Sequence, residues 1–283
     1  MAKLGIIGWG VVGRAVGEGF VSKGSNQITW WDKYKKGPYS LGKVISESEF
    51  IFVCVPTPMF SDDSGIDLSV VEETVSKVAP KISDTDKILI IKSTVIPGTT
   101  ASFKKRYPKV NFAMNPEFLT EANAPWDFLH PDRTIIGALS QPVSEGLVQL
   151  YRDLLGSQAK IFITDVTTAE MVKYMSNAFL ATKVIFANEM YDLSTGLGIK
   201  YEEVAEMVAA DKRIGMSHLN VTTMRGFGGK CFPKDTVALL GFAKKMGVDV
   251  SLLSTVWQKN LKIRKVRDWE EIDGAVNYKK RKG

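Results

Sequence analysis

The chain has 283 residues, a length that suits two domains. Its 45% hydrophobic and 24% charged residues argue against a disordered or collagen-like chain, and two cysteines, Cys54 and Cys231, are too few for a disulfide framework. The net charge is +6, but nine Lys/Arg against four Asp/Glu fall between Lys259 and Gly283, so the body is nearly neutral and does not suit tracking of nucleic-acid phosphates.

The N-terminal KLGIIG reads as a buried strand, not a signal peptide. VVGRAVGEGFVSKG follows as a helix, QITWWD as a second strand and FIFVCVP as a third. DLSVVEETVSKVAP has helical spacing and stops at Pro80. KILIIKST, KVNFAMNP and TIIGAL are further strands. A helix over 143–155 and the strand AKIFIT complete the pattern. Strands alternating with helices predict an α/β fold, a Rossmann-type doubly wound parallel sheet, over 1–163. From Thr164 to Thr195 runs one long helix, capped by Thr164 or Asp165 and ended by Gly196 and Gly198. YEEVAEMVAA, DTVALLGFAKKMG and a stretch from Ser251 are helical too, giving an all-helical second domain over 164–267 and a basic tail over 268–283. No apolar run reaches the roughly 18–20 residues that span a bilayer, so no membrane partner is expected and a reducing, cytoplasmic setting is.

Gly8-Trp9-Gly10-Val11-Val12-Gly13 has the G-x-G-x-x-G spacing between a strand and a helix. Gly8 permits the turn, Gly10 lets backbone approach a pyrophosphate, and Gly13 permits close helix–strand packing. Asp32, about twenty residues on, ends the second strand, where a carboxylate accepts from ribose hydroxyls. It favours NAD over NADP, while Lys33, Lys35 and Lys36 pull the other way. The competing reading is a glycine-rich turn without a ligand.

Lys173 and Asn177 are four apart on the long helix and share a face, where they can hold an oxyanion or form an ordinary solvated surface. Glu117 and Glu121 follow a strand end, as base and water-holder or as surface acids. Ser93-Thr94, at another strand end, suit positioning of a water or cofactor. Cys231 lies in the polar glycine loop GFGGKCFPKD, flanked by lysines and followed by a helix N-terminus, which favours thiolate character. Such a thiol can attack an aldehyde. Cys54, inside an apolar strand, reads as structural. His130 and His218 are too scattered for a metal site, and none is assigned.

Taken in order, GWGVVG, VCVPTP, IKSTVIPGT, MNPEFLTEANAPWDFLHPDRTIIG, AEMVKYMSNAFLATKVIFANEM, DKRIG and GFGGKCFPKD resemble the UDP-glucose/GDP-mannose dehydrogenase family. The resemblance implies a four-electron oxidation of a nucleotide sugar such as UDP-glucose to its uronate, with two NAD used in succession. It makes Cys231 the nucleophile, through a thiohemiacetal and a thioester. Lys173 would stabilise oxygen charge with Asn177 beside it, Asp235 and Thr94 would hold a catalytic water, and Glu121 would assist hydrolysis. It implies cofactor contacts from Gly8, Gly10, Val11, Val12, Gly13, Asp32, Pro56, Thr57, Thr94 and Lys234. Substrate contacts would come from Glu117, Phe118, Leu119, Lys173, Asn177 and the Phe227, Gly228 and Gly229 backbone. Arg213, in DKRIG, would reach the neighbouring subunit's substrate, implying a homodimer built on the long helix. Family members continue into a third, nucleotide-binding domain, which this chain is expected to lack. Two other readings stay open. One is a two-electron hydroxy-acid dehydrogenase, which would not need Cys231. The other is a non-catalytic protein that only binds NAD or a nucleotide sugar.

Overall fold

The computed structural model describes residues 1–23 and 26–278. The run KKRKG at the end of the expected tail lies outside the described residues. Two compact units form, one from 1–57 and 68–173, the other from 58–67 and 174–283.

In the first unit, short apolar runs become strands, β1 (Lys3–Ile7) and β3 (Phe50–Val53) largely buried and β2 (Gln27–Trp31) at the half-buried sheet edge. Between them lie the helices α1 (Val11–Ser22) and α2 (Leu41–Glu47). The strand β4 (Met59–Phe60) belongs to the second unit, and α3 (Ser69–Val78) returns the chain to the first. There follow β5 (Ile88–Ile91), α4 (Thr99–Arg106), β6 (Asn111–Met114), α5 (Ala124–Leu129), β7 (Thr134–Ala138), α6 (Gln141–Leu155) and β8 (Ile161–Thr164). The sheet order is β2-β1-β3-β5-β6-β7-β8. Two apolar layers, one centred on Val53, Leu89 and Phe112 and the other on Ile6, Phe52 and Ile90, fit a sheet buried on both faces. The sheet is mixed, not wholly parallel: β6 and β7 are antiparallel. The link between them, residues 115–133, is as long as the 92–110 link that joins the parallel pair β5 and β6, so link length does not set this reversal. The carboxyl ends of β1, β3, β5 and β6 lie on one edge, with Ile7, Val53, Ile91 and Met114 in register. Crossovers leave in opposite directions from β1 and β3, the switch point at which such sheets bind ligands.

The division between these compact units falls after Lys173, inside the long helix α7 (Val166–Gly196). Packing explains this. Val166 and Ala169 join the sheet core, and buried Glu170 accepts hydrogen bonds from the Gly98 and Thr100 amides at the start of α4 (2.5 and 2.8 Å). Asp165 caps α7, accepting from the Thr167 and Thr168 amides at 2.9 and 3.0 Å.

The second unit continues with α8 (Tyr201–Ala209), α9 (Cys231–Met246), α10 (Ser251–Ile263) and β9 (Val276–Asn277). It is helical apart from β4 and β9, which pair in parallel. Residues 268–278, expected within a basic tail, are folded: Trp269 is 2% exposed and β9 carries ladder bonds. Trp257 and Trp269 pack against one another with tilted rings, centroids 5.7 Å apart, and that burial outweighs the local charge. No helix among the described residues is long and apolar enough to cross a membrane.

Candidate active site

The first cluster grows from the β1–α1 turn. Gly8 has φ +96°, and a Cβ there would meet the Cys54 carbonyl oxygen at 2.5 Å, so the turn accepts only glycine. A Cβ on Gly13 would lie 1.9 Å from the Gly8 oxygen, which shows how closely α1 approaches the turn. At Gly10, the α1 N-cap, nothing lies within 4 Å of the equivalent point. The first turn of α1 has no side-chain cap and no acid, so Val11 and Val12 begin a helix whose amides face an open approach. The Asp32 carboxylate accepts from the Trp9 amide at 2.7 Å and from the Tyr34 and Lys35 amides at 2.8 and 3.0 Å. Partial burial opposes its charge, but the amides of Tyr34, Trp9 and Lys35 outweigh this and hold the carboxyl below its ordinary value. An open helix start beside a charged carboxylate fits the NAD-binding role expected of this domain.

Further along the same edge, Thr57 is buried after β3 while Pro56 is exposed, and Thr94 is half-buried after β5. Glu117, after β6, is 9% exposed and pairs with Lys173 at 2.8 Å, and its other oxygen accepts from the Leu119 amide at 2.7 Å. Burial pushes the Glu117 carboxyl up, but the Lys173 ammonium and the Leu119 amide outweigh it, and the group stays ionised. The Phe118 ring sits between the Arg133 guanidinium (4.2 Å) and the Lys173 ammonium (5.5 Å). Glu121 is exposed at the start of a 3-10 turn (Glu121–Asn123), apart from this ion pair. A cavity of about 240 Å³ opens among Lys92, Glu117, Phe118, Leu119, Arg133 and Tyr151.

Lys92 and Tyr151 were not singled out from the sequence. Buried Lys92 donates to Asn115 Oδ1 at 2.9 Å and to the Pro116 carbonyl at 3.3 Å, while Tyr151 also donates to Asn115 Oδ1. These bonds fix the segment that presents Glu117. The available signal was a charge closing an apolar strand, and a tyrosine on the apolar face of α6.

In the second unit, buried Asn177 donates to Asp235 Oδ2 at 2.6 Å, and Lys234 pairs with the other Asp235 oxygen. The helix carrying Asp235 begins at Cys231, not at Asp235 as its composition suggested, because Pro233 falls in the first turn, where a missing amide proton costs nothing. Cys231 is therefore the exposed first residue of α9, where helix amides favour a thiolate. Cys54 differs: burial pushes its thiol up to about 12. Phe227 is buried in the glycine loop, its ring 6.1 Å from that of Phe232, while Gly228 and Gly229 are half-buried. Sequence reasoning missed the groups that fix this loop. Asn260 is fully buried on the α10 face that also presents Leu253, Val256 and Trp257, and a polar residue in that apolar seam was the signal for it. It accepts from the Phe227 amide at 2.7 Å and donates back to the Phe227 carbonyl at 3.0 Å. Arg213 is exposed and forked onto Asp211, at 3.1 Å through Nε and 2.6 Å through Nη2.

Comparison with known proteins agrees with this layout. Residues 36–155 match the NAD binding domain of the UDP-glucose/GDP-mannose dehydrogenase family, and residues 167–262 match its central domain. The UDP-glucose 6-dehydrogenase of Rickettsia felis is 40% identical over 221 residues, covering 76% of this chain and 48% of that protein. The protein of the same name from Bacillus subtilis is 35% identical over 245 residues, covering 84% of this chain and 53% of that protein. A UDP-glucose dehydrogenase structure from Pyrobaculum islandicum superposes with a TM-score of 0.83 at 31% identity, covering 93% of this chain and 68% of that one. The chain thus spans about half the length of the curated relatives it matches. With both domain matches in order and the glycine turn in place before them, this chain belongs to the UDP-glucose/GDP-mannose dehydrogenase family.

Proposed function

We propose that the chain carries the NAD-dependent, four-electron oxidation of a nucleotide sugar, UDP-glucose to UDP-glucuronate, with Cys231 as the covalent nucleophile. The observation that carries the reading is the placement of Cys231: exposed, at a helix N-terminus, four residues before a buried aspartate held by Asn177 and Lys234. A two-electron dehydrogenase has no use for such a thiol. Gly8, Gly10, Gly13 and Asp32 would hold the adenosine and pyrophosphate of NAD, with Pro56, Thr57, Thr94 and Lys234 contributing to its binding. When bound, NAD supplies a hydride acceptor for each oxidation.

The chain's own groups do the rest. Lys173, charged beside Glu117, would steady the oxygen as the alcohol loses a proton and its carbon loses a hydride. The Cys231 sulfur would then bond to the aldehyde carbon, giving a thiohemiacetal. Loss of a second hydride from that carbon would leave a thioester, and a water oriented by Asp235 and Thr94, with help from Glu121, would break the C–S bond and release the carboxylate. Asn177 would fix the direction of the Asp235 carboxylate. Phe118, Leu119 and the Phe227–Gly229 backbone would shape the substrate site. A thiol that must stay reduced suits a cytoplasmic setting.

The enzyme is proposed to work as a homodimer built on α7. Met175, Phe179, Phe186 and Leu193 recur every fourth or seventh residue on one face of that helix and are 66%, 66%, 56% and 60% exposed.

The test is incubation of the chain with UDP-glucose and NAD while NADH is followed by absorbance. Two NADH per sugar are expected, and Cys231→Ser should halt the reaction after at most the first oxidation. One NADH per sugar, indifferent to that substitution, would reject the reading.

A further inference from the structure

The glycine loop that leads into Cys231 is held by a part of the chain beyond the stretch that resembles the family's central domain. Past Lys262, residues 264–278 run back along the loop. Asp268 Oδ2 accepts from the Gly229 amide at 3.0 Å, and its Oδ1 accepts from Arg264 Nη2 at 2.9 Å. Arg264 Nη1 in turn donates to the Arg225 carbonyl at 3.0 Å. Lys230 Nζ reaches the Asp273 carbonyl at 3.4 Å. Both ends of the loop are therefore tied to one strap. A Cβ at Gly228 would lie 2.2 Å from Asp268 Oδ1 and 2.3 Å from Arg264 Nη2, so strap and loop are in close contact.

The strap is itself anchored. Trp269 is buried against Trp257, whose indole donates to Asp63 at 3.2 Å. Strand β9 pairs with β4, the Met59 amide donates to the Ala275 carbonyl at 2.9 Å, and Asn277 donates to Asp67 at 2.5 Å. Such an arrangement exceeds what is needed to cover a surface: a carboxylate with both oxygens engaged, one on a loop amide, fixes a backbone direction two residues before Cys231.

We propose that Asp268, with Arg264, is a positioning residue for Cys231, and that the strap sets the geometry of the nucleophile's helix start. The role of Cys231 as nucleophile rests on the function proposed above, but the geometric claim stands apart from it. Asp268 holds the Gly229 amide, Gly229 sets the turn into Lys230, and Lys230 occupies the N-cap position of α9. A loosened turn frays that first helical turn and withdraws the amides that favour the thiolate.

The experiment reads thiol chemistry without substrate or cofactor: the rate of iodoacetamide alkylation of Cys231, resolved by peptide mass spectrometry, as a function of pH. Cys54, half-buried and with its thiol pushed up to about 12, serves as the internal control. Asp268→Ala should slow Cys231 alkylation roughly three- to tenfold at pH 7 and move the pH midpoint upward. Asp268→Asn, which retains an oxygen for the Gly229 amide, should recover most of the rate. Arg264→Lys keeps the charge but loses the fork reaching both Asp268 and the Arg225 carbonyl, and should slow alkylation too. Loss of a negative charge alone would act in the opposite direction, lowering the thiol pKa and speeding the reaction. A rate that is unchanged or faster in Asp268→Ala and Arg264→Lys, even with a lower melting temperature, would overturn the proposal. Because no turnover is measured, this outcome is separable from failure of the nucleotide-sugar reading.

Discussion

Lys92 shows how one buried charge feeds both stability and site geometry. Burial depresses its ammonium to about 8, with Lys173 adding to the depression and Cys54 and Glu117 opposing it. Folded Lys92 thus releases its proton near pH 8, whereas an unfolded lysine holds one to about 10.5. Between those values the unfolded chain binds more protons, so this residue makes stability rise with pH through that window. Lys92→Met removes the effect. Urea denaturation at pH 8, 9 and 10 should show the wild type gaining on the variant as pH rises, by up to about 3 kcal/mol. A gap that stays constant across the window would mean that Lys92 titrates as an exposed lysine does. The substitution also strips a donor from Asn115 and Pro116, so the variant should lose order in the segment that carries Glu117.

At the scale of elements, legibility followed the length of the signal. The strands of the first unit and the long helix were readable because apolar spacing sustained over four or more residues is compatible with few backbone conformations. The glycine turn was readable because the spacing carries its own geometry, and Gly13 shows how strictly. An alanine there would put a Cβ 1.9 Å from a backbone oxygen that cannot move aside. Gly13→Ala should therefore displace α1, lower stability by about 2–3 kcal/mol in thermal melts and abolish NAD binding in titration calorimetry. Retained binding would show that the helix start is not the cofactor's seat. What stayed hidden was decided by partners distant in sequence. The β6–β7 pair is antiparallel across a link as long as the one that joins parallel β5 and β6, so nothing local distinguishes the two, and two-residue β4 and β9 become strands only by meeting each other. Asp268 is one of four acids close together in the sequence until the structure sets it on the Gly229 amide. Pairing and burial of this kind are long-range events that local propensity does not encode.

At the scale of the whole molecule, the apolar face of α7 and exposed Arg213 both point outward from a single chain. A face of two phenylalanines, a methionine and a leucine more than half exposed is costly to leave in water, and an isologous pairing covers it twice. Phe179→Glu with Phe186→Glu should convert a dimer to a monomer in sedimentation velocity, whereas a wild-type chain that is monomeric at micromolar concentration would remove the premise. Arg213 then distinguishes how the two subunits cooperate. Its guanidinium is forked onto Asp211 and its side chain is 89% exposed, so it contributes little to its own chain's core. If it serves the neighbour's substrate, Arg213→Ala and Cys231→Ser homodimers are each inactive, but a mixed dimer of the two holds one intact site: the cysteine of one subunit with the arginine of the other. Co-refolding equal amounts should restore about a quarter of wild-type turnover, because half of the dimers are mixed and each has half its sites working. If Arg213 serves its own subunit's site, every site in the mixture lacks one group and no activity returns.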